Sequence, residues 1–346
     1  MAEEVYTSLG GLLFAKGTAL YEKEMEILEA FLITQVDIEG DEAEGPAQAE
    51  QQIAATSQST VHQIEKPAFQ DSYDKAVTAL KKIIHQIEGG SNLPVMEVRE
   101  VISPLLEQFQ ENPQMLLSLR GNARVDSYSY EHALAVGILS HTIAKWMKVP
   151  EREWMQVALA GTLLDVGKAK IDRRILQKPG KLSTEEFEEM KRHTVYGYQI
   201  IRASHGLSEG VALAVLQHHE REDGSGYPLG LPGSKLHLYS KITAVADVYH
   251  AMCSDRVYQK AKSPYVVAEQ LMQDSFGKLD PQVVHTFIKG ITQFAVGTVV
   301  ELSDGRLGKI VFTDNKNPTR PMIETGGTIV NLAESRQLSI VKVVEQ

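Results

Sequence analysis

Three apolar segments of this chain are interrupted by side chains that are costly to bury. Asp165 directly follows Ala158-Leu159-Ala160-Gly161-Thr162-Leu163-Leu164, and Asp247 sits within the apolar stretch Ile242 to Met252. His218 and His219 end the run Val211 to Leu216. An ionised carboxylate in such surroundings must be paired or must coordinate metal. Adjacent histidines point about 100° apart on a helix, so burying both requires two separate partners. A lone Asp or His of this kind would read as a hydrogen-bonded core residue. With His132 near the start of its helix and His193 on another, however, six ligand-type residues fall on five predicted helices. Mixed imidazole and carboxylate donors suit iron, manganese or zinc rather than magnesium or calcium. A carboxylate such as Asp165 would bridge two such ions, a geometry that activates water and clamps a phosphoryl group.

The helical period extends over most of the chain. Residues 1–38 hold a short apolar piece, Leu9 to Ala15, and then a helix-period run with Leu20, Met25, Ile27, Leu28, Phe31 and Leu32. Residues 39–70 include an Ala-, Gln- and Glu-rich stretch too poor in apolar side chains to offset ordering entropy, and are expected to be a flexible linker. Residues 71–121 read as a pair of helices, one ended by Gly89-Gly90 and the other over Leu93 to Phe109, serving as connector or dimerisation element. Residues 122–292 are almost wholly helical in pattern, with helices to Trp146, from Glu153 to Leu164, and from Gly210 to His219. Ser183 and Glu186 form a capping box, with Leu182 as its hydrophobic staple; the helix it opens should carry Phe187, Met190 and His193. In residues 293–346 the period changes. Val299 to Leu302, a Ser303-Asp304-Gly305 turn and Ile310 to Phe312 predict a β-hairpin, with further strands at Thr328 to Leu332 and Leu338 to Val344. The fold class is therefore mainly α, an all-helical core with a small C-terminal β module that the N-terminal apolar piece is expected to join.

The 346 residues, 43% hydrophobic and 23% charged, describe an ordinary globular chain. A formal net charge of −10 argues against DNA, and no apolar run is long enough to span a bilayer. Met-Ala-Glu-Glu-Val lacks the basic start of a secretory signal, and the single Cys253 fits a reducing cytoplasm. An anionic ligand would have to be met by a local cluster of cations or by metal.

Residues 128–287 resemble the HD-GYP domain, a branch of the HD phosphohydrolase superfamily. The resemblance rests on Ile175-Leu176-Gln177-Lys178-Pro179-Gly180-Lys181-Leu182, on Gln217-His218-His219-Glu220-Arg221 leading to Asp223-Gly224-Ser225-Gly226-Tyr227-Pro228, on Ala244-Val245-Ala246-Asp247-Val248-Tyr249, and on Ser254-Asp255-Arg256. It implies hydrolysis of the bacterial second messenger cyclic di-GMP, or a related nucleotide, at iron or manganese. It also implies metal-binding roles for His132, Asp165, His193, His218, His219 and Asp247. Lys168 matches the lysine that faces the scissile phosphate. Arg256, with Lys260 close by, lies in the segment that contacts the ligand's phosphate. Tyr227 belongs to a loop, Gly226-Tyr227-Pro228, associated with ligand access and a protein partner.

The chain departs from the pattern at one position: the family's paired His-Asp is Leu164-Asp165. One ion would then keep His132, Asp165 and Asp247 but lose an imidazole, whereas a second keeps Asp165, His193, His218 and His219. Tyr128 stands where three-metal members carry a carboxylate, so a third ion is not expected. His250, three positions after Asp247, is either a replacement nitrogen or a histidine hydrogen-bonded behind the ligands. His62, His85, His141, His205, His237 and His285 have no ligand-like company. Two functions compete on these grounds. One is an active phosphodiesterase using Asp165 and Lys168, with one or two ions. The other is a degenerate domain that receives a cyclic dinucleotide or a protein partner without turnover. Hydrolysis of a different phosphate ester is a third.

Overall fold

The computed structural model describes residues 66–111, 115, 116, 119, 127–254, 262–292, 296–314 and 316–344, together with 2, 5, 6, 12–19, 28 and 36. The run from Leu20 to Leu32 lies almost entirely outside these residues; the expected linker does so up to residue 65. The chain divides into two compact units, residues 1–65 with 326–329, and residues 66–325 with 330–346. The helical pair, the central region and most of the β module thus share one unit.

In the first unit, β1 (Val5–Tyr6) pairs antiparallel with β2 (Leu12–Phe14) in a two-stranded sheet of their own. Among the described residues this pair is separate from the five-stranded C-terminal sheet.

The second unit opens with α1 (Lys66–Glu88), which begins inside the stretch expected to be linker, and α2 (Val95–Glu111). Leu80, Ile83, Ile87, Val98, Ile102 and Leu105 bury one stripe of this pair. The stripe belongs to the same hydrophobic core as α3 (Tyr128–Trp146), α4 (Glu151–Thr162), α8 (Glu209–Gln217) and α9 (Leu238–Cys253). Between α4 and α8 come a 3₁₀ turn (Val166–Lys170), α5 (Arg173–Leu176), α6 (Thr184–Lys191) and α7 (His193–Arg202). After α9 come α10 (Pro264–Asp274) and α11 (Pro281–Thr292). Among the described residues no helix is long and apolar enough to cross a membrane.

Three expected helices end early. The apolar run through Leu164 leaves the helix at Thr162, placing Leu163, Leu164 and Asp165 in a turn. The run through His219 stops at Gln217, with His218 as its C-cap. The helix opened by Ser183 breaks at Arg192, so that His193 starts a new one. Each break turns a ligand-type side chain away from the direction a continuous helix would give it. Apolar periodicity cannot register the first two breaks, because Leu163, Leu164 and His218 are as buried as the helical residues before them.

The C-terminal sheet has the order β6-β5-β4-β3-β7, from β3 (Val299–Leu302), β4 (Leu307–Phe312), β5 (Met322–Thr325), β6 (Thr328–Asn331) and β7 (Ile340–Val343). The expected hairpin is β3–β4, with Val299 opposite Lys309; β5 is a strand the sequence pattern did not announce. Val300, Leu302, Ile310, Ile323 and Ile340 form a small core of their own, closed by Tyr265 of α10. An Arg320–Glu269 ion pair at 2.6 Å ties the module to the same helix.

Candidate functional site

The capping box holds α6 as expected: Ser183 Oγ accepts from the Glu186 amide and Glu186 accepts from the Ser183 amide. The far end of α6 then orients His193, whose Nδ1 donates to the Met190 carbonyl at 2.7 Å. His218, capping α8, spends its Nδ1 in the same way on the Val215 carbonyl at 2.9 Å. With both Nδ1 atoms acting as donors, the two neutral rings carry lone pairs at Nε2. Those Nε2 atoms face each other at 3.4 Å. His219 joins them, so that one ligand atom from each of the three histidines lies within 4.8 Å of the others.

Asp165 approaches the same cluster from its turn. Its Oδ1 lies 3.4 Å from His193 Nε2, and its Oδ2 accepts from Lys168 Nζ at 2.6 Å. Gly167 is what permits the approach. A Cβ there would stand 1.9 Å from the His193 carbonyl oxygen and 2.3 Å from the Gly197 amide nitrogen. A side chain at Gly167 would therefore push the Asp165 turn off α7.

Burial pushes the Asp165 carboxyl up, but Lys168, then His193, His218 and His132, outweigh it and hold it well below the usual carboxylate range. Asp247 behaves alike: burial raises it, and the His132 hydrogen bond, together with His132, His219 and His218 around it, holds it below the usual carboxylate range. Burial pushes His193 down to about 4 against the pull of Asp165. Burial likewise lowers His218, and it lowers His219 well below the ordinary histidine value. At neutral pH the three histidines are thus neutral imidazoles beside the Asp165 carboxylate, a donor set a divalent cation takes. Two buried lone pairs facing each other with no proton between them fit the same occupant.

The other half of the expected set is built differently. His132 Nε2 meets Asp247 Oδ1 at 3.0 Å, and His132 Nδ1 meets His250 Nδ1 at 2.9 Å, so both of its nitrogens are engaged within the protein. His250 is fully buried behind His132, hydrogen-bonded to it, and lies beside Ser254 Oγ. Tyr128 stacks on His132, ring centroids 5.7 Å apart. Leu164 is 1% exposed and belongs to the hydrophobic core.

Tyr227 lies face to face with His219, centroids 4.6 Å apart. Burial, with Asp165 and Asp247 adding, raises its phenol well above the ordinary tyrosine value, so the hydroxyl stays a donor. Glu220, part of the histidine-pair motif but assigned no role there, fixes the loop of Tyr227. Fully enclosed, its carboxylate accepts from the amides of Leu229 at 2.7 Å and Leu231 at 3.0 Å. Gly226 lets the loop lie flat, since a Cβ there would meet the Glu220 Cα at 2.4 Å. Arg256 and Lys260 lie outside the described residues. Of the histidines without ligand-like company, His237 caps α9, accepting from the Tyr239 amide, and His141 is buried edge-on against Trp154. His62 is outside the described residues.

The model of an HD domain matches residues 109–283, half of the chain. A cyclic di-GMP phosphodiesterase of Pseudomonas aeruginosa is 32% identical over 250 residues, covering 72% of this chain and 60% of that one. The 3'3'-cGAMP-specific phosphodiesterase 1 of Vibrio cholerae is 32% identical over 224 residues, covering 63% and 50%. The chain thus spans 60% or less of the length of these relatives. A solved HDG"Y"P protein from Bdellovibrio bacteriovorus shares the fold at a TM-score of 0.52 and 15% identity, covering 82% of this chain and 92% of that one. Motifs, fold and relatives agree: the chain belongs to the HD domain family, in its HD-GYP branch.

Proposed function

We propose that the chain is a metal-dependent phosphodiesterase that opens a cyclic dinucleotide, cyclic di-GMP or a close relative of it. The observation that carries this reading is the pair of facing Nε2 lone pairs of His193 and His218, joined by His219 and Asp165. In this reading these four residues hold one divalent ion strongly, iron or manganese by family habit. When bound, such an ion supplies Lewis acidity toward a phosphoryl oxygen and toward the attacking water. Lys168, already beside Asp165, turns its ammonium to a non-bridging phosphate oxygen and offsets charge as the diester is attacked. Tyr227, held protonated, donates to the same phosphate group. Arg256 and Lys260 are assigned to the ligand's phosphates. The loop Gly226-Tyr227-Pro228 is assigned to a protein partner, and the helical pair before residue 122 to a second copy of the chain.

A second reading, a receptor that binds the nucleotide without turnover, is favoured by one observation. Leu164 is packed into the core and both nitrogens of His132 are engaged, which leaves the first ion a weak site. Full-length protein loaded with manganese or iron under reducing conditions, given cyclic di-GMP and 3'3'-cGAMP, separates the two. The enzyme reading expects a linear dinucleotide or mononucleotide. Binding without product at high protein concentration would establish the receptor, and neither binding nor product would overturn both.

A further inference from the structure

Helix α6 leaves a phenyl ring in solvent beside the histidine cluster. Phe187 is 46% exposed, yet its ring meets the edge of Tyr227, centroids 6.5 Å apart at 74°. Tyr227 in turn covers His219. Lys191 lies one turn after Phe187 on the same face of α6. Its ammonium is 5.0 Å from the Phe187 centroid and 5.7 Å from that of Tyr227, and it also pairs with the exposed Glu188 at 2.6 Å. An aromatic wall carrying one cation therefore runs outward from a proposed metal ligand to solvent.

The wall is held in place. Phe187 lies within the capping-box helix, which Lys178 braces through Glu186 at 2.5 Å. The helix's last turn is tied to His193. A large apolar ring kept out of the core on so fixed a helix forgoes the burial it would otherwise gain. The ammonium lies over the Phe187 ring; a purine that stacks on that π face displaces the lysine, whose partner Glu188 is exposed, to the edge of the base. The base stacks on the ring, and the acceptors at N7 and O6 of a guanine face a donor. Glu188 is the more exposed partner and gives way to such a ligand without a buried charge being stranded.

Resting on the phosphodiesterase reading above, we propose that Phe187 and Lys191 form the subsite for one purine of the cyclic dinucleotide. Phe187 stacks on the base, and Lys191 donates to its acceptor edge.

The test uses full-length, metal-loaded protein as wild type, Phe187→Ala, Phe187→Trp and Lys191→Ala, with cyclic di-GMP and cyclic di-UMP. KM is read where turnover occurs, and the dissociation constant by equilibrium dialysis where it does not. Phe187→Ala is expected to weaken cyclic di-GMP roughly 10-fold and to shrink the preference over cyclic di-UMP. Phe187→Trp should restore both, with metal content unchanged throughout. Lys191→Ala should weaken cyclic di-GMP more than cyclic di-UMP. Unchanged affinity in Phe187→Ala, with a wild type that still binds, would overturn the subsite and leave the phosphodiesterase reading standing. A wild type that neither binds nor cleaves either nucleotide would overturn the reading beneath it, and the subsite with it.

Discussion

His193 and His218 present their Nε2 atoms to each other across 3.4 Å, and each ring is locked in that orientation by a hydrogen bond from Nδ1 to a backbone carbonyl. Backbone carbonyls cannot change protonation, so the tautomer of both rings is set by the fold before any ligand arrives.

Removing one member of this pair should therefore remove the ion and not merely loosen it. In His218→Ala we expect metal affinity to fall by more than about 100-fold, since changes behind a ligand alone typically cost about 10- to 100-fold. Cyclic dinucleotide turnover should fall with it. Titration with manganese followed by a product assay checks both; a variant that keeps its metal and its rate would contradict the assignment.

The metal-free protein should lose stability on mild acidification. Burial lowers His193 and His141 to about 4 each, whereas both rings titrate near 6.5 in the unfolded chain. Between those values the unfolded chain binds more protons, so stability rises with pH there and is lost as pH falls from about 6.5 toward 4. Thermal melting in a chelator, from pH 7.5 to 4.5, should show the loss, and His141→Phe should shallow it without touching the metal site. A flat profile would contradict the burial of these rings.

Gly167→Ala tests how the turn carrying Asp165 is seated. Its methyl would collide with the His193 carbonyl, a backbone atom that cannot swing away. We expect a loss of about 1–3 kcal/mol in stability by denaturant unfolding, together with weaker metal binding, because the turn and α7 must separate. Wild-type stability would show that the close approach is not present.

The loop over the site should depend on Glu220. Glu220→Ala leaves the Leu229 and Leu231 amides without their acceptor, at a cost of about 1–3 kcal/mol each if both stay dry. Hydrogen exchange at those two amides should speed up, and KM for the dinucleotide should rise as Tyr227 loses its seat on His219. Unchanged exchange would mean that another group holds the loop.

Much of this architecture was legible in the sequence where one local rule decides the outcome. The Ser183–Glu186 capping box and the Val299–Phe312 hairpin formed as their residue types dictate. Asp165, His218 and His219 stood out as polar groups set in apolar runs, whereas their grouping with His193 came from the resemblance to the HD-GYP domain. What escaped was decided by tertiary contact. Leu164 looks helical by pattern, yet it sits in a turn because Gly167 must reach α7. Phe187 has the period of a core residue but lies against Tyr227 at the surface. Glu220 carried no local signal of its role, and it is enclosed where two loop amides converge on it. The engagement of His132 by Asp247 and His250 joins residues more than a hundred positions apart, which no local pattern encodes.

The division of the site into one complete half and one closed half is tested most directly by metal content per chain. It is to be measured by elemental analysis on protein purified without chelator and repeated on His218→Ala. The account predicts about one ion per chain in the wild type and none in the variant. No metal in the wild type would contradict the site, and two strongly held ions would contradict the reading that Leu164 and the His132–Asp247–His250 contacts close its other half.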